Sequence, residues 1–333
     1  MSVDPDSVLL ADVGGTNVRF AIADVAASQP LRADSVRRCR VVECPTFAEA
    51  ARTYLASMQV RPRSGVFAVA GPVTGDEVRM TNHPWVLSRR ALLEELGFDR
   101  LRIVNDFVAM SHCLLLLDHG DIEAIGPIGP RRIDVSKRQT FAIVGPGTGL
   151  GVGGLIVDAG RFVSLPAEGG HIGFAPGDDV EIEVLRRLLP RFGRVSAERV
   201  LCGSGIVNLH RALHPAAGED WTPERITAEA GSDPACGATI ERFCAMLGSF
   251  AGDFALAYGA WDGVWLTGGL TPKLLHRLQA GAFRERFDDK GRYRRVLEQV
   301  PTTAVLHPDA GLLGAAALAV LDAGRLPAGF TIA

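Results

Sequence analysis

The chain has no long hydrophobic run. The longest nearly apolar stretch goes only from Gly311 to Leu321, whereas a bilayer span needs about 20 residues. A buried helix is the expectation there. The opening residues, Met1-Ser-Val-Asp-Pro-Asp-Ser7, lack a basic segment followed by an apolar core, so no secretory signal is expected. Cysteine is sparse. Cys39, Cys44, Cys113, Cys202, Cys236 and Cys244 form no C-x-x-C pair and follow no metal-ligand spacing. That argues against a structural zinc site and for a reduced, cytoplasmic protein with buried thiols. Charge of one sign is missing as well: the formal net charge is -3 and 22% of residues are charged. A strongly basic nucleic-acid binder and a disordered chain are both excluded. No Ser/Gly-rich or Pro-rich linker divides the 333 residues, which at about 150 per domain suggest roughly two domains. What the chain does have is glycine, at 38 residues, where average usage would give about 23.

The glycines fall at the ends of apolar runs. Val8-Leu-Leu-Ala11 reads as a strand that ends in Asp12-Val-Gly-Gly-Thr16. Val18, Phe20 and Ile22 then recur at period two, which is strand periodicity. The glycine pair therefore joins strand to strand in a hairpin. The pattern returns at Phe141-Ala-Ile-Val144, a glycine loop at Gly145 to Gly151, and a second strand at Val152 to Asp158. Thr16 and Thr148 stand in matching places, so one unit is repeated and two related lobes are expected. A third glycine pair, Gly268-Gly269, lies between the strand Gly263 to Leu266 and a helix opening at Thr271. Helices are expected at Thr46 to Met58, with Thr46 and Glu49 at capping-box spacing, and at Ser88 to Leu96, with Gly97 as the C-cap. Further helices are expected at 107–117, 180–189, 196–201, 239–258 and from about Ala310. The segment 126–138 reads as a loop between lobes.

Successive glycines let backbone N–H groups converge on phosphate oxygens, because no Cβ blocks the approach. Two familiar glycine motifs fail. A P-loop needs a lysine that neither loop has, and a dinucleotide fingerprint needs a helix after the loop, where here a strand follows. Two hairpins and a third glycine turn suit a nucleotide clamped in a cleft; tight turns without a ligand are the alternative. Asp12, at the mouth of the first loop, suits Mg²⁺ held through water, since magnesium takes only one or two carboxylates. A carboxylate capping its own turn is the alternative there. The second set of candidates is polar. Asn105-Asp106 ends a strand, where open α/β sheets place ligand groups. Glu168-Gly-Gly-His171, Ser196-Ala-Glu198 and the amide of Asn82 in Thr81-Asn-His-Pro-Trp85 add groups that bond sugar hydroxyls. Each has a duller reading: Asp106 as a helix cap, Glu198 in a first helical turn, His171 as a core histidine.

Taken together, these motifs resemble those of bacterial glucokinases in the hexokinase-like, actin-like ATPase superfamily. The resemblance covers nearly the whole chain. It rests on Asp12-Val-Gly-Gly-Thr-Asn17, Met80-Thr-Asn-His-Pro-Trp85, Ile103-Val-Asn-Asp-Phe107, Gly147-Thr-Gly-Leu-Gly-Val152, Ser164-Leu-Pro-Ala-Glu-Gly-Gly-His171, Val195-Ser-Ala-Glu-Arg-Val200, Gly268-Gly269 and Asp288-Asp-Lys-Gly-Arg292. It implies an α/β, two-lobed, ribonuclease H-like fold with a duplicated lobe and a central cleft. The small lobe would be 1–116 plus 312–333 and the large lobe 117–311. The implied reaction is transfer of the γ-phosphoryl group of ATP, with Mg²⁺, to O6 of glucose as the first step of glycolysis. Asp106 would be the catalytic base. Asn82, Asn105, Glu168, His171 and Glu198 would bind the sugar. Ala11, Asp12, Val13, Gly14, Gly15, Thr16, Gly147, Thr148, Gly149, Gly268 and Gly269 would bind the nucleotide. The family also implies a homodimer, with no nucleic-acid or membrane partner. Pro146 departs from the small residues common at its position. A kinase for another hexose, a sugar sensor without catalysis, and an ATPase without a sugar substrate remain as alternatives.

Overall fold

Strand β1 (Ser7–Val13) and strand β2 (Asn17–Asp24) form the expected hairpin, and everything in the first half of the chain is built onto it. The computed structural model describes residues 4–79, 85–216, 218 and 220–330. The chain divides into two compact units, Met1–Asp118 with Pro308–Ala333, and His119–His307. Among the described residues no helix is long and apolar enough to cross a membrane.

Unit 1 continues through β3 (Arg37–Arg40), α1 (Phe47–Met58), β4 (Ser64–Val69), β5 (Glu77–Arg79), β6 (Val86–Ser88), α2 (Arg89–Leu96), β7 (Arg100–Asn105) and α3 (Asp106–His112). Its sheet has the order β3-β2-β1-β4-β7, with β1, β4 and β7 parallel. Parallel strands are normally covered on both faces, and this sheet is. Ala11, Val18, Phe20, Ile22 and Phe67 pack against Phe47 and Tyr54 of α1. Val8, Leu10, Ala21, Ala23 and Val66 pack against a terminal helix, Ala310–Asp322. That helix is apolar all round, as a buried helix must be. At Gly314 it lies directly on α3: a Cβ there would overlap the Ala109 carbonyl. The anticipated caps are present. Thr46 Oγ1 accepts the Glu49 N–H and Ser88 Oγ accepts the Ala91 N–H, and Gly97 has a φ of 68°.

Sequence periodicity does not reveal His112, which lies 2% exposed in α3 with Nδ1 2.9 Å from the Val108 carbonyl. Burial holds its pKa down at about 4, below the ordinary 6.5 or so. The unfolded chain therefore takes up this proton first as pH falls, and the stability contributed by the neutral imidazole is lost between about pH 6.5 and 4. The shift corresponds to roughly 3 kcal/mol. Unfolding at stepped pH should show this slope, and His112→Gln should flatten it.

Unit 2 contains β8 (Ile122–Ala124), β9 (Gln139–Pro146), β10 (Leu150–Asp158), β11 (Arg161–Ala167), α4 (Asp179–Phe192), α5 (Gly203–Leu213), α6 (Pro223–Glu229), α7 (Pro234–Tyr258), β12 (Gly263–Leu266), α8 (Thr271–Gln279), α9 (Ala282–Asp288), α10 (Arg294–Leu297) and β13 (Thr302–Val305). Its sheet runs β11-β10-β9-β12-β13-β8. The first five strands repeat the order and directions of unit 1: an antiparallel hairpin with an added edge strand, then two parallel strands. The repeat of strand, Gly-Thr loop and strand seen in the sequence thus marks a repeated topology. Around α7 lies the larger core, with Phe243, Leu247 and Ala251 fully buried. Cys236 and Cys244 sit in it as apolar filling, and burial pushes their thiols up to about 11 and about 12. In α4, Glu181 is 1% exposed, and it is held by Arg242 and Arg286.

Four expectations need correction. The helix expected at 196–201 is only a 3-10 turn, Ala197–Arg199, and Ser196 makes no side-chain cap. Its backbone is extended instead, bridging Gly173. The second glycine loop is shorter than 145–151, because Gly145 and Gly151 pair within the ladder and only 147–149 turn. The helix at 107–117 ends at His112 and tightens to a 3-10 turn over Cys113–Leu115. Segment 126–138 carries no helix or strand but lies within unit 2 rather than between the units.

Candidate active site

Unit 1 brings its candidate residues to the C-terminal ends of its parallel strands. Val13 ends β1, Val69 ends β4 and Asn105 ends β7, and hydrogen bonds stitch these ends together. Ala70 N–H donates to the Val13 carbonyl at 3.0 Å. Asn105 Nδ2 donates to the Gly71 carbonyl at 3.1 Å. In the hairpin tip, Gly14 N–H donates to Asn17 O at 2.9 Å, and the Thr16 carbonyl accepts from Val41 at 3.0 Å. Gly15 and Thr16 are exposed, and Ala11 and Val13 are buried behind them.

The Asn105-Asp106 pair opens α3. Asn105 is the N-cap, its Oδ1 accepting the Phe107 N–H at 2.8 Å. Asp106 Oδ1 accepts the same N–H at 3.0 Å. The capping reading of Asp106 therefore holds in part, but Asn105 already fills that position. A carboxylate in a first helical turn also has the sign that the helix dipole favours. Asp106 stays half-buried.

Asp12 does not cap its own turn. Its Oδ2 accepts from Arg19 Nη2, and Arg19 Nη1 donates to Asp309 Oδ1 at 3.1 Å. The sequence reading missed Arg19 and Asp309. Asn82 lies outside the described residues. Among those described, no group of three or more His, Cys, Asp or Glu gathers to hold a metal. A carboxylate beside phosphate oxygens is nonetheless the donor set that magnesium takes, and Asp12 fits it.

Unit 2 assembles its candidates into one construction. Gly147 N–H donates to Gly149 O at 2.8 Å, closing the tip with Thr148 exposed. Glu198 reaches under it: Oε2 accepts the Leu150 N–H at 2.9 Å and stands 2.6 Å from where a Cβ on Gly149 would be. The Glu168–His171 segment lies against the same residue. A Cβ on Gly170 would overlap the Leu150 carbonyl, and one on Gly169 would come within 2.5 Å of Phe254 and 2.7 Å of Val152. Those contacts press the 3-10 turn Gly169–His171 flat on β10 and leave Glu168 and His171 exposed at its two ends. His171 is thus not a buried core histidine; its carbonyl accepts from Arg194 at 2.8 Å.

The third glycine pair joins the same assembly. Gly268 has a φ of 77°, and a Cβ on it would be 2.5 Å from Pro146 O. Leu270 N–H donates to that carbonyl at 3.1 Å, so Pro146, the departure from the family pattern, anchors the turn. Gly269 is exposed. Sequence reasoning missed Gly203, which opens α5 and donates its N–H to the Gly147 carbonyl at 2.8 Å. The signal was the glycine pair in Cys202-Gly-Ser-Gly205.

The glucokinase family model matches residues 9–321. A glucokinase of Xanthomonas oryzae pv. oryzae (strain MAFF 311018) is 51% identical over 333 residues, covering 99% of both chains. Among solved structures, a glucokinase from an Antarctic psychrotroph is 32% identical, with a TM-score of 0.83 over 96% of this chain and 100% of that one. A ROK-family glucokinase from Streptomyces griseus, in complex with glucose and AMPPNP, shares the fold at 17% identity, with a TM-score of 0.62 over 94% of this chain and 98% of that one.

Proposed function

The chain belongs to the glucokinase family, and from that premise we propose that it transfers the γ-phosphoryl group of ATP to O6 of glucose, with Asp106 as the base. The observation that carries the assignment of the base is the β7–α3 junction. There Asn105 holds the cap and leaves the Asp106 carboxylate half-buried at the end of β7, on the same sheet edge as the C-terminal end of β1 that leads into the first glycine hairpin.

Phosphoryl transfer is mainly positioning and charge stabilisation, and the residues divide accordingly. Ala11 to Thr16 and Gly147 to Gly149 present backbone N–H groups to the phosphates. Gly268-Gly269 meets the adenosine side. Asn105, Glu168, His171 and Glu198 bind glucose hydroxyls, with Asn82 assigned from the sequence alone. Glu198 does this with one oxygen already committed to Leu150, so it also ties the sugar residues to the second phosphate loop. Asp106 takes the O6 proton as that oxygen attacks phosphorus in line. Asp12 would hold Mg²⁺ through water, and the bound ion would neutralise charge on the phosphates. Two sheets of like order support the actin-like, duplicated reading of the fold. A homodimer, a cytoplasmic location and a place at the first step of glycolysis go with this reading and rest on the resemblance.

An assay of ADP release with glucose, mannose, fructose or no sugar tests the proposal. Glucose should give the highest kcat/KM, and ADP release without sugar should be slight. Sugar-independent release would favour a plain ATPase. Glucose binding without turnover would favour a sensor.

A further inference from the structure

Arg19 has no part in the roles above, yet it is held on three sides. Strand register sets its position: in the β1–β2 pair it stands directly opposite Asp12, so both side chains share the sheet face that the terminal helix covers. Nη2 donates to Asp12 Oδ2. Nη1 donates to the Pro308 carbonyl at 2.9 Å and to Asp309 Oδ1 at 3.1 Å. Burial works against the guanidinium charge, but Asp12 and Asp309 outweigh it and raise its pKa. The helix is shaped to this arrangement. Asp309, at its N-cap position, makes no capping bond with its side chain; the carboxylate goes to Arg19 instead. A Cβ on Gly311 would come 2.8 Å from Asp12 Oδ2, so glycine there leaves room for the carboxylate.

The clamp engages one oxygen of Asp12. Among the described residues, Oδ1 accepts no hydrogen bond. We infer that Arg19 is a positioning residue for phosphoryl transfer: it locks Asp12 with Oδ1 turned to the hydrated cation of the nucleotide, and it fastens that carboxylate to the head of the terminal helix. An unclamped aspartate would rotate about its side-chain torsions and hold the bound water in no single place. Groups that orient a metal-facing carboxylate typically matter about 10- to 100-fold in metal affinity or activity. The inference rests on the proposed role of Asp12.

Calorimetry of ATP binding, with Mg²⁺ and in EDTA, tests it on the native chain and on Arg19→Met. The variant should match the native protein in EDTA and in glucose affinity. It should lose most of the tightening that Mg²⁺ gives, about 10- to 100-fold, with a fall in kcat of similar size. Arg19→Lys should recover part of this, since an ammonium cannot fork to two carboxylates and a carbonyl as a guanidinium does. A native-like Mg²⁺ response in Arg19→Met overturns the inference, whatever happens to its melting temperature. If Arg19→Met does not fold, a fully native response in Arg19→Lys overturns it equally. A native chain whose ATP affinity ignores Mg²⁺ overturns it too. Failure of the native chain to phosphorylate any sugar would instead count against the proposed reaction, because the binding comparison needs no turnover.

Discussion

Asp106→Asn is expected to bind glucose almost as the native chain does and to lose about 10²- to 10⁴-fold in kcat, the usual contribution of a positioned general base. Each tenfold loss is about 1.4 kcal/mol of transition-state stabilisation. The substitution is close to isosteric, and its amide oxygen can keep the bond from Phe107 N–H that Asp106 Oδ1 now accepts. Asn105 accepts the same N–H at 2.8 Å, so the start of α3 has a second support. What the variant loses is the ability to take a proton. Calorimetric glucose affinity and the kcat of ADP release separate the two effects. Turnover within a few-fold of native would remove Asp106 as the base, and a collapse of glucose affinity alone would make it a binding residue.

The second large effect is expected at Gly170→Ala. The added methyl would overlap the Leu150 carbonyl, and the turn can relieve this only by lifting off β10. Lifting it moves Glu168 and His171 together. It also strains Leu150, whose N–H is bonded to Glu198, so one methyl disturbs three proposed sugar ligands. Displacements of about 1 Å at a site of this kind can cost ~10² in rate. Overpacking should also destabilise unit 2 by about 1–3 kcal/mol. Gly173→Ala is the control: it lies two residues beyond the turn, with nothing within 4 Å of its would-be Cβ. The expected result is a kcat/KM for glucose reduced about 100-fold in Gly170→Ala and nearly unchanged in Gly173→Ala. Equal behaviour of the two would detach the 3-10 turn from the sugar site.

Local signals carried well from sequence to structure. The two glycine hairpins and the caps at Thr46, Ser88 and Gly97 depend on residues a few positions apart. Partners set by register or by distant segments were not legible. The alternation of Val18, Phe20 and Ile22 marks one apolar face of β2 and says nothing of what Arg19 meets on the other. Both faces of that sheet are in fact covered, and the second cover comes from a helix nearly three hundred positions later. The 196–201 error has the same origin. Ser196 and Glu198 have a helix-start pattern, but their backbone and side chain are claimed by Gly173 and Leu150. Glycine could be read as a marker of tight turns, but which carbonyl each glycine lies against could not.

The terminal helix of unit 1 follows the whole of unit 2 in the chain. On the ribosome, therefore, the β3-β2-β1-β4-β7 sheet emerges with one face lacking this helix and only α3 to cover it, and stays so while about two hundred further residues are made. At about 5–20 residues per second, that is an interval of ten seconds or more. During it Leu10, Ala21, Ala23 and Val66 lack their final cover, and Asp12 and Arg19 lack Asp309. Unit 2, continuous in sequence, can mature first. The nascent chain is then most exposed to aggregation and to chaperone capture through its earliest-made half, and the Asp12–Arg19–Asp309 cluster is completed only with this helix.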